Sequence, residues 1–172
     1  MEVSRLTPAD FPKELPGLTS LLHACVMDGA SIGFVLPFSV ADAENFWRDR
    51  VFPAVAQGTR VVLIARRDGE TAGTVQLDHD TPGNQLHRAE VRKLLVHPSF
   101  RRCGIGKLLM AEIEAIASSL GRSLITLDTR TGDMAEPLYA CLGYRTAGII
   151  PGYCRDTASD RLDATTVMYK NL

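Results

Sequence analysis

Long hydrophobic runs are missing from this sequence. No stretch approaches the roughly 18 apolar residues that a membrane-spanning helix needs, and the N-terminus lacks a basic start followed by an apolar core. Neither a span nor a secretory leader is expected. An excess of one charge is missing too: 19 Lys and Arg stand against 20 Asp and Glu, a formal net charge of −1, with no run of five like charges. Nucleic acid is therefore not expected as the main partner, because phosphate binding leaves a basic patch or stripe. Cysteines Cys25, Cys103, Cys141 and Cys154 show no CxxC spacing, and histidines His23, His79, His87 and His97 no HExxH or HxxxH pairing. Neither a bound metal nor a disulfide framework is expected, and free thiols fit a reducing compartment, the cytoplasm.

What is present suffices for one core. Hydrophobic residues make up 45% of 172 residues, which suits a single domain over residues 1–172 with no internal repeat. Residues 2–6 read as a short strand. Asp10 to about Asp28 reads as a helix interrupted near Pro12 and Pro16, with Leu18, Leu21, Leu22, Cys25 and Val26 at helical spacing. Asp28 to Pro37 reads as a loop. Ser39 reads as the N-cap of a helix carrying Ala43, Phe46, Trp47 and Val51 on one face, with Trp47 a core residue ahead of a contact in a ligand pocket. The period then changes. Arg60 to Arg66 and Thr71 to Asp78 read as a hairpin turning at Asp68 and Gly69, and Ala89 to Val96 as the next strand. Gly104 to Leu120 is the clearest helix, striped by Ile105, Leu108, Leu109, Ile113, Ile116, Ala117 and Leu120 and ended by Gly121. Leu124 to Leu127 follows as a strand and Glu136 to Leu142 as a short helix. That helix starts either with Pro137 at its first position or with a capping box of Asp133 and Glu136. Tyr144 to Ile149 and Thr165 to Lys170 are the last strands. Strands alternating with helices predict a three-layer α/β domain, and the hairpin makes its sheet mixed.

Chemistry concentrates in Leu94 to Met110, LLVHPSFRRCGIGKLLM, where a strand runs through a basic, glycine-bearing loop into a strong helix. The first N–H groups of a helix lack internal partners and carry partial positive charge, so this loop suits an anion. Gly104 and Gly106 would let a phosphate approach the backbone, and Arg101, Arg102 and Lys107 add charge; the alternative is a simple turn. The dinucleotide pattern GxGxxG is excluded by Leu109, and GxxxxGK[ST] is absent.

The run Arg101-x-x-Gly104-x-Gly106 resembles the R/Q-x-x-G-x-G/A pyrophosphate loop of the GNAT superfamily of N-acetyltransferases. Ala135-x-x-Leu138-Tyr139-x-x-x-Gly143-Tyr144 is similar to that family's second signature. Further stretches, DGASIGF at 28–34, RAEVRKLLV at 88–96, LDTRTGDMAEPLY at 127–139 and PGYC at 151–154, resemble the bacterial tabtoxin resistance acetyltransferases, which acetylate the amine of a β-lactam amino acid. The resemblance implies a GNAT-like fold with helices on both faces of a mixed sheet that splays at the cofactor site. It implies acetyl-CoA as cosubstrate and direct attack by the primary amine of a small amino-acid-like or toxin-like acceptor. Acetylation of a protein or peptide, a polyamine or an aminoglycoside stays open as an alternative, as does a catalytically silent acyl-CoA sensor. Monomer and homodimer are both open.

By the same resemblance, the main chain of Leu94, Leu95 and Val96 pairs with pantetheine, and the loop of Arg101, Arg102, Cys103, Gly104, Ile105, Gly106 and Lys107 holds the diphosphate. Cys103 is there a bystander rather than a nucleophile. Tyr139 stands where the family has its general acid. Full proton transfer from a phenol near pKa 10 to a thiolate near 8.5 is uphill by about 2 kcal/mol, so donation of a hydrogen bond is the cheaper role. Glu90 and Asp128 are candidates for the base, with a surface ion pair and a turn residue as their alternatives. Asp28, Ser31, Phe34, Tyr153 and Arg155 are candidates for the acceptor pocket, the last two as partners for a substrate carboxylate. Gly132 departs from the family, where Asn is common, which implies a missing side-chain contact to the cofactor.

Overall fold

The computed structural model describes residues 1–172. Seven strands form one sheet: β1 (Glu2–Arg5), β2 (Arg60–Arg67), β3 (Glu70–Asp78), β4 (Arg88–Val96), β5 (Leu124–Arg130), β6 (Arg145–Arg155) and β7 (Leu162–Asn171), in the order β1-β2-β3-β4-β5-β7-β6. Only β4 and β5 run parallel; every other neighbouring pair is antiparallel. Five helices accompany it: α1 (Phe11–Met27), α2 (Val40–Asn45), α3 (Phe52–Ala56), α4 (Ile105–Ser119) and α5 (Ala135–Cys141), with a π-type turn at Phe46–Val51 joining α2 to α3.

The continuous apolar run of β2 reflects burial on both faces. Val61, Leu63 and Ala65 join the core under α4, where Ile105, Leu109, Met110, Ile113 and Ala117 pack. Their neighbours Val62 and Ile64 join the opposite core, built on Leu15, Leu18, Leu22 and Trp47. Trp47 is fully buried, and its indole N–H donates to the Leu18 carbonyl at 2.9 Å.

Helix α1 is unbroken where an interruption was expected. Pro12 lies in the first turn, where its missing N–H is no loss, while Pro16 lies inside and costs one hydrogen bond. Burial of Phe11, Leu15, Leu18, Leu21, Leu22, Cys25 and Val26 outweighs that cost, because tertiary packing carries most helical stability. Ser39 caps α2 with a full capping box to Asp42. Helix α5 begins one residue earlier than expected and takes neither proposed start. Met134 is its N-cap, Asp133 accepts from the Met134 N–H at 2.7 Å, and Glu136 accepts from the Gly132 N–H at 2.7 Å. Pro137 falls at the third helical position, where its N–H would also be an orphan. Strand β6 runs to Arg155, well past Ile149, as a long hairpin arm with β7.

Candidate active site

The site begins with a break in the sheet. Strands β4 and β5 are paired only at Arg88–Leu124, Ala89–Ile125 and Glu90–Thr126. Beyond that point β5 follows β7 as far as Arg130–Thr165, and β4 follows β3. The β4 side of the break contains a bulge. Glu90, Val91 and Arg92 oppose Asp78, Leu77 and Gln76 in turn, whereas Leu95 opposes Thr74, one residue out of step. Lys93 carries the bulge at a φ of 51°. The insertion reverses which side chains face α4. Ala89 and Val91 do so before it, Leu94 and Val96 after it, and Leu95 enters the opposite core. A wedge-shaped cleft of about 630 Å³ fills the break, with Lys93, Leu94, Leu95 and Val96 on one wall and Asp128, Thr129, Arg130, Leu138 and Tyr139 among the residues on the other.

The loop before α4 forms one end of this cleft. Arg102 and Gly104 both take left-handed backbone, at φ 63° and 79°. The N–H groups of Arg102, Cys103, Gly104, Ile105, Gly106 and Lys107 donate to no other group in the protein, and the helical ladder begins with Leu108 N–H to Gly104 C=O at 3.0 Å. Alternating backbone of this kind at a helix start turns successive amides into one concavity, an anion cradle. A Cβ at Gly104 would meet nothing within 4 Å, so the space beside it is open. Gly106 differs from the sequence expectation. Its Cβ would lie 3.1 Å from Leu138, so the missing side chain makes room for α5, while its N–H stays in the cradle.

The predicted charges divide between several partners. Arg101 pairs with Asp28 at 2.6 Å, tying the loop to the C-terminal end of α1, so one cofactor candidate and one acceptor candidate neutralise each other. Arg102 and Lys107 line the cleft. Cys103 is outside its lining and contacts Arg67. Cys25, on the cleft wall, donates weakly to the Val96 carbonyl, and burial pushes its thiol up to about 11. It is therefore protonated near neutrality and a poor nucleophile.

Tyr139 lines the cleft and is only 6% exposed. Burial first, then the charges of Asp128 and Asp133, raise its phenol well above the ordinary value, so it stays a donor. Asp128 lies mid-strand, lines the cleft and accepts from the Thr165 hydroxyl at 3.2 Å. Glu90 sits at the last β4–β5 pair, two positions back along the sheet; its carboxylate pairs with Arg92 at 3.3 Å and is not part of the cleft lining.

A second cleft, also of about 630 Å³, adjoins the first. Phe34, Phe38 and Phe46 line it together with Asp42, Asp49 and Arg50, and Ile32 and Lys93 are common to both. Ser31 lies on the first cleft, 3.6 Å from the Cys154 thiol. Tyr153 and Arg155 lie outside both clefts; Arg155 pairs with Asp160 at 2.8 Å. Lys93 is a cleft residue that sequence reasoning missed. Its signal was the change of parity in the apolar residues between Val91 and Leu94, which marks a bulge only when the two cores are known.

Comparison with known proteins places this geometry. The model of the acetyltransferase (GNAT) family matches residues 27–144. The fold aligns over 100% of this chain and 100% of a ribosomal-protein-alanine N-acetyltransferase from Brucella melitensis, at 21% identity and a TM-score of 0.79. It aligns over 100% of this chain and 94% of a candidate acetyltransferase from Salmonella typhimurium solved with its cofactor acetyl-CoA, at 18% identity and a TM-score of 0.77. An uncharacterized protein of Mycobacterium leprae is 27% identical over 124 residues, 69% of this chain and 33% of that protein. The chain thus spans about a third of the length of this curated relative. The chain belongs to the acetyltransferase (GNAT) family, whose members use acetyl-CoA.

Proposed function

We propose that the chain is an N-acetyltransferase that passes the acetyl group of acetyl-CoA to the primary amine of a small, amino-acid-like or toxin-like acceptor. The observation that carries this reading is the junction of three features at one cleft: the unpaired edge of β4 beyond Glu90, the free N–H groups from Arg102 through the first turn of α4, and the Tyr139 side chain. The residues present fit acetyl-CoA. The edge at Leu94, Leu95 and Val96 can pair with the amides of a pantetheine arm, and the cradle from Arg102 to Lys107 can hold a diphosphate.

Bound acetyl-CoA supplies an activated thioester, which the acceptor amine attacks directly with release of the thiol. An ammonium cannot attack, so a carboxylate at the mouth of the splay must hold the amine and lead its proton to water. Asp128 is the better placed of the two candidates, because it faces the cleft while Glu90 is turned to Arg92. Tyr139, held protonated by burial, donates a hydrogen bond where charge develops on the leaving sulfur. The stretches resembling tabtoxin resistance acetyltransferases support a small amino-acid-like acceptor. Residues from 28–34, 88–96 and 127–139 converge on the two clefts, and Cys154 from 151–154 contacts Ser31.

Isothermal titration with acetyl-CoA, with ATP and NAD as controls, tests the first half. Micromolar binding of acetyl-CoA alone is the expected result; no binding by a folded sample would refute the reading. Thiol release over a panel of amino acids, peptides, polyamines and aminoglycosides tests the second half. Acetyl-CoA binding with no release on any amine would leave a sensor.

A further inference from the structure

Lys93 belongs to neither the cofactor cradle nor the candidate catalytic groups, yet it is the one cation common to both clefts. It is half-buried at the bulge of β4, in left-handed backbone that is unfavourable for a non-glycine residue. Its ammonium lies 5.9 Å from the centre of the Phe34 ring and makes no ion pair and no hydrogen bond. The other cations of the first cleft are differently engaged. Arg101 is matched by Asp28, and Arg130 by Asp133, Asp156 and Asp163. Arg102, in the loop before α4, and Lys107, in its first turn, flank the cradle of free N–H groups. In the second cleft Arg50 is exposed to solvent. A half-buried ammonium with no carboxylate in contact is costly; the charges of Asp128 and Glu90 offset part of that cost, and an anion brought by a ligand would lower it further.

We propose that Lys93 is the acceptor's anion-binding residue, so that the acceptor is a small zwitterion whose carboxylate meets Lys93 Nζ, whose apolar body lies against Phe34, Phe38 and Phe46, and whose amine is directed to the Asp128 side. This rests on the N-acetyltransferase reading and narrows it. The layout is chemically consistent: the aromatic cleft offers an apolar wall, the shared Lys93 marks where the clefts meet, and Asp128 stands across the first cleft. Arg155, the partner that the sequence suggested for a substrate carboxylate, is instead paired with Asp160 outside both clefts.

The test compares matched ligands that differ in the anion, with rates referred to the free-amine form because a carboxamide lowers the pKa of the neighbouring amine. Thiol release from acetyl-CoA is followed with leucine, methionine and phenylalanine and with their carboxamides. Wild type is expected to prefer the carboxylates by about tenfold or more in kcat/KM, since a charge-assisted hydrogen bond is worth about 1.5–3 kcal/mol. K93M is expected to abolish that preference through KM, and K93R to restore it in part. A cooperative thermal melt close to that of wild type shows that K93M folds. Binding is read separately by titrating N-acetyl-leucine and N-acetyl-leucinamide into the CoA-saturated protein, with the same preference expected in wild type and its loss in K93M. Equal treatment of acid and amide by wild type, an equal loss on both in K93M, or loss of the preference in R50M but not K93M would each overturn the proposal. Anion-dependent binding without thiol release from any amine would instead sink the N-acetyltransferase reading.

Discussion

The two clefts are of the same size and share a wall, but they are made of different material. The cleft in the splayed sheet presents main chain: an unpaired strand edge and a row of free amides at the start of α4. The adjoining cleft presents side chains, with three phenylalanines, two aspartates, an arginine and Lys93 among them. Backbone recognition tolerates change in most side chains, provided the few positions with special conformation or close packing are kept. It therefore suits a ligand common to a whole family. Side-chain recognition changes with each substitution and suits a ligand peculiar to one protein. The first cleft should be sensitive to glycine and backbone changes, the second to aromatic and charge changes.

The largest expected effect falls on chemistry between the two. Tyr139→Phe should lower kcat by about 10²-fold with acetyl-CoA affinity unchanged in titration; unchanged turnover would remove the donor role. Asp128→Asn should lower kcat/KM by about 10²-fold and Glu90→Gln by less than about tenfold, because only Asp128 faces the cleft. The reverse order, read in the same thiol-release assay, would make Glu90 the base.

Smaller effects separate the clefts themselves. Gly104→Ala, forced to a φ of 79°, should weaken acetyl-CoA binding by about tenfold while leaving acceptor KM near wild type. Phe34→Ala should do the opposite, raising acceptor KM several-fold with acetyl-CoA affinity intact; equal losses of both ligands in either variant would erase the distinction. Behind the splay, a Cβ at Gly73 would lie 2.8 Å from the Leu95 carbonyl and 2.8 Å from Ile105. Gly73→Ala should cost about 1–3 kcal/mol in urea denaturation, since neither the strand nor the core can yield freely.

The smallest effect is in alkaline stability. Burial holds the Cys25, Tyr139 and Tyr144 protons above their ordinary values, for Cys25 from 9.0 to about 11. Above pH 9 the unfolded chain loses protons that the folded chain keeps, so stability falls as pH rises from about 9 past 10. Thermal melts should show Tm declining over that range. Cys25→Ser should make the earlier part of the decline shallower, relative to its own value at pH 7.

The sequence by itself determined the order of the elements, the strong helix α4 and the glycine loop before it, because these follow from periodicity and from backbone freedom, which are local properties. It also placed Trp47 in the core and Ser39 at a helix cap, as the structure has them. Local rules went wrong where packing outweighs them: α1 runs through Pro16, α5 starts at Ala135, and Gly106 makes room for Leu138. Only the tertiary structure decided where β4 and β5 part, that Arg101 is spent on Asp28, and that Lys93 stands unpaired between two clefts. These depend on register and on contacts between residues far apart in the chain. A one-residue bulge, worth little locally, changes which core each side chain of β4 enters.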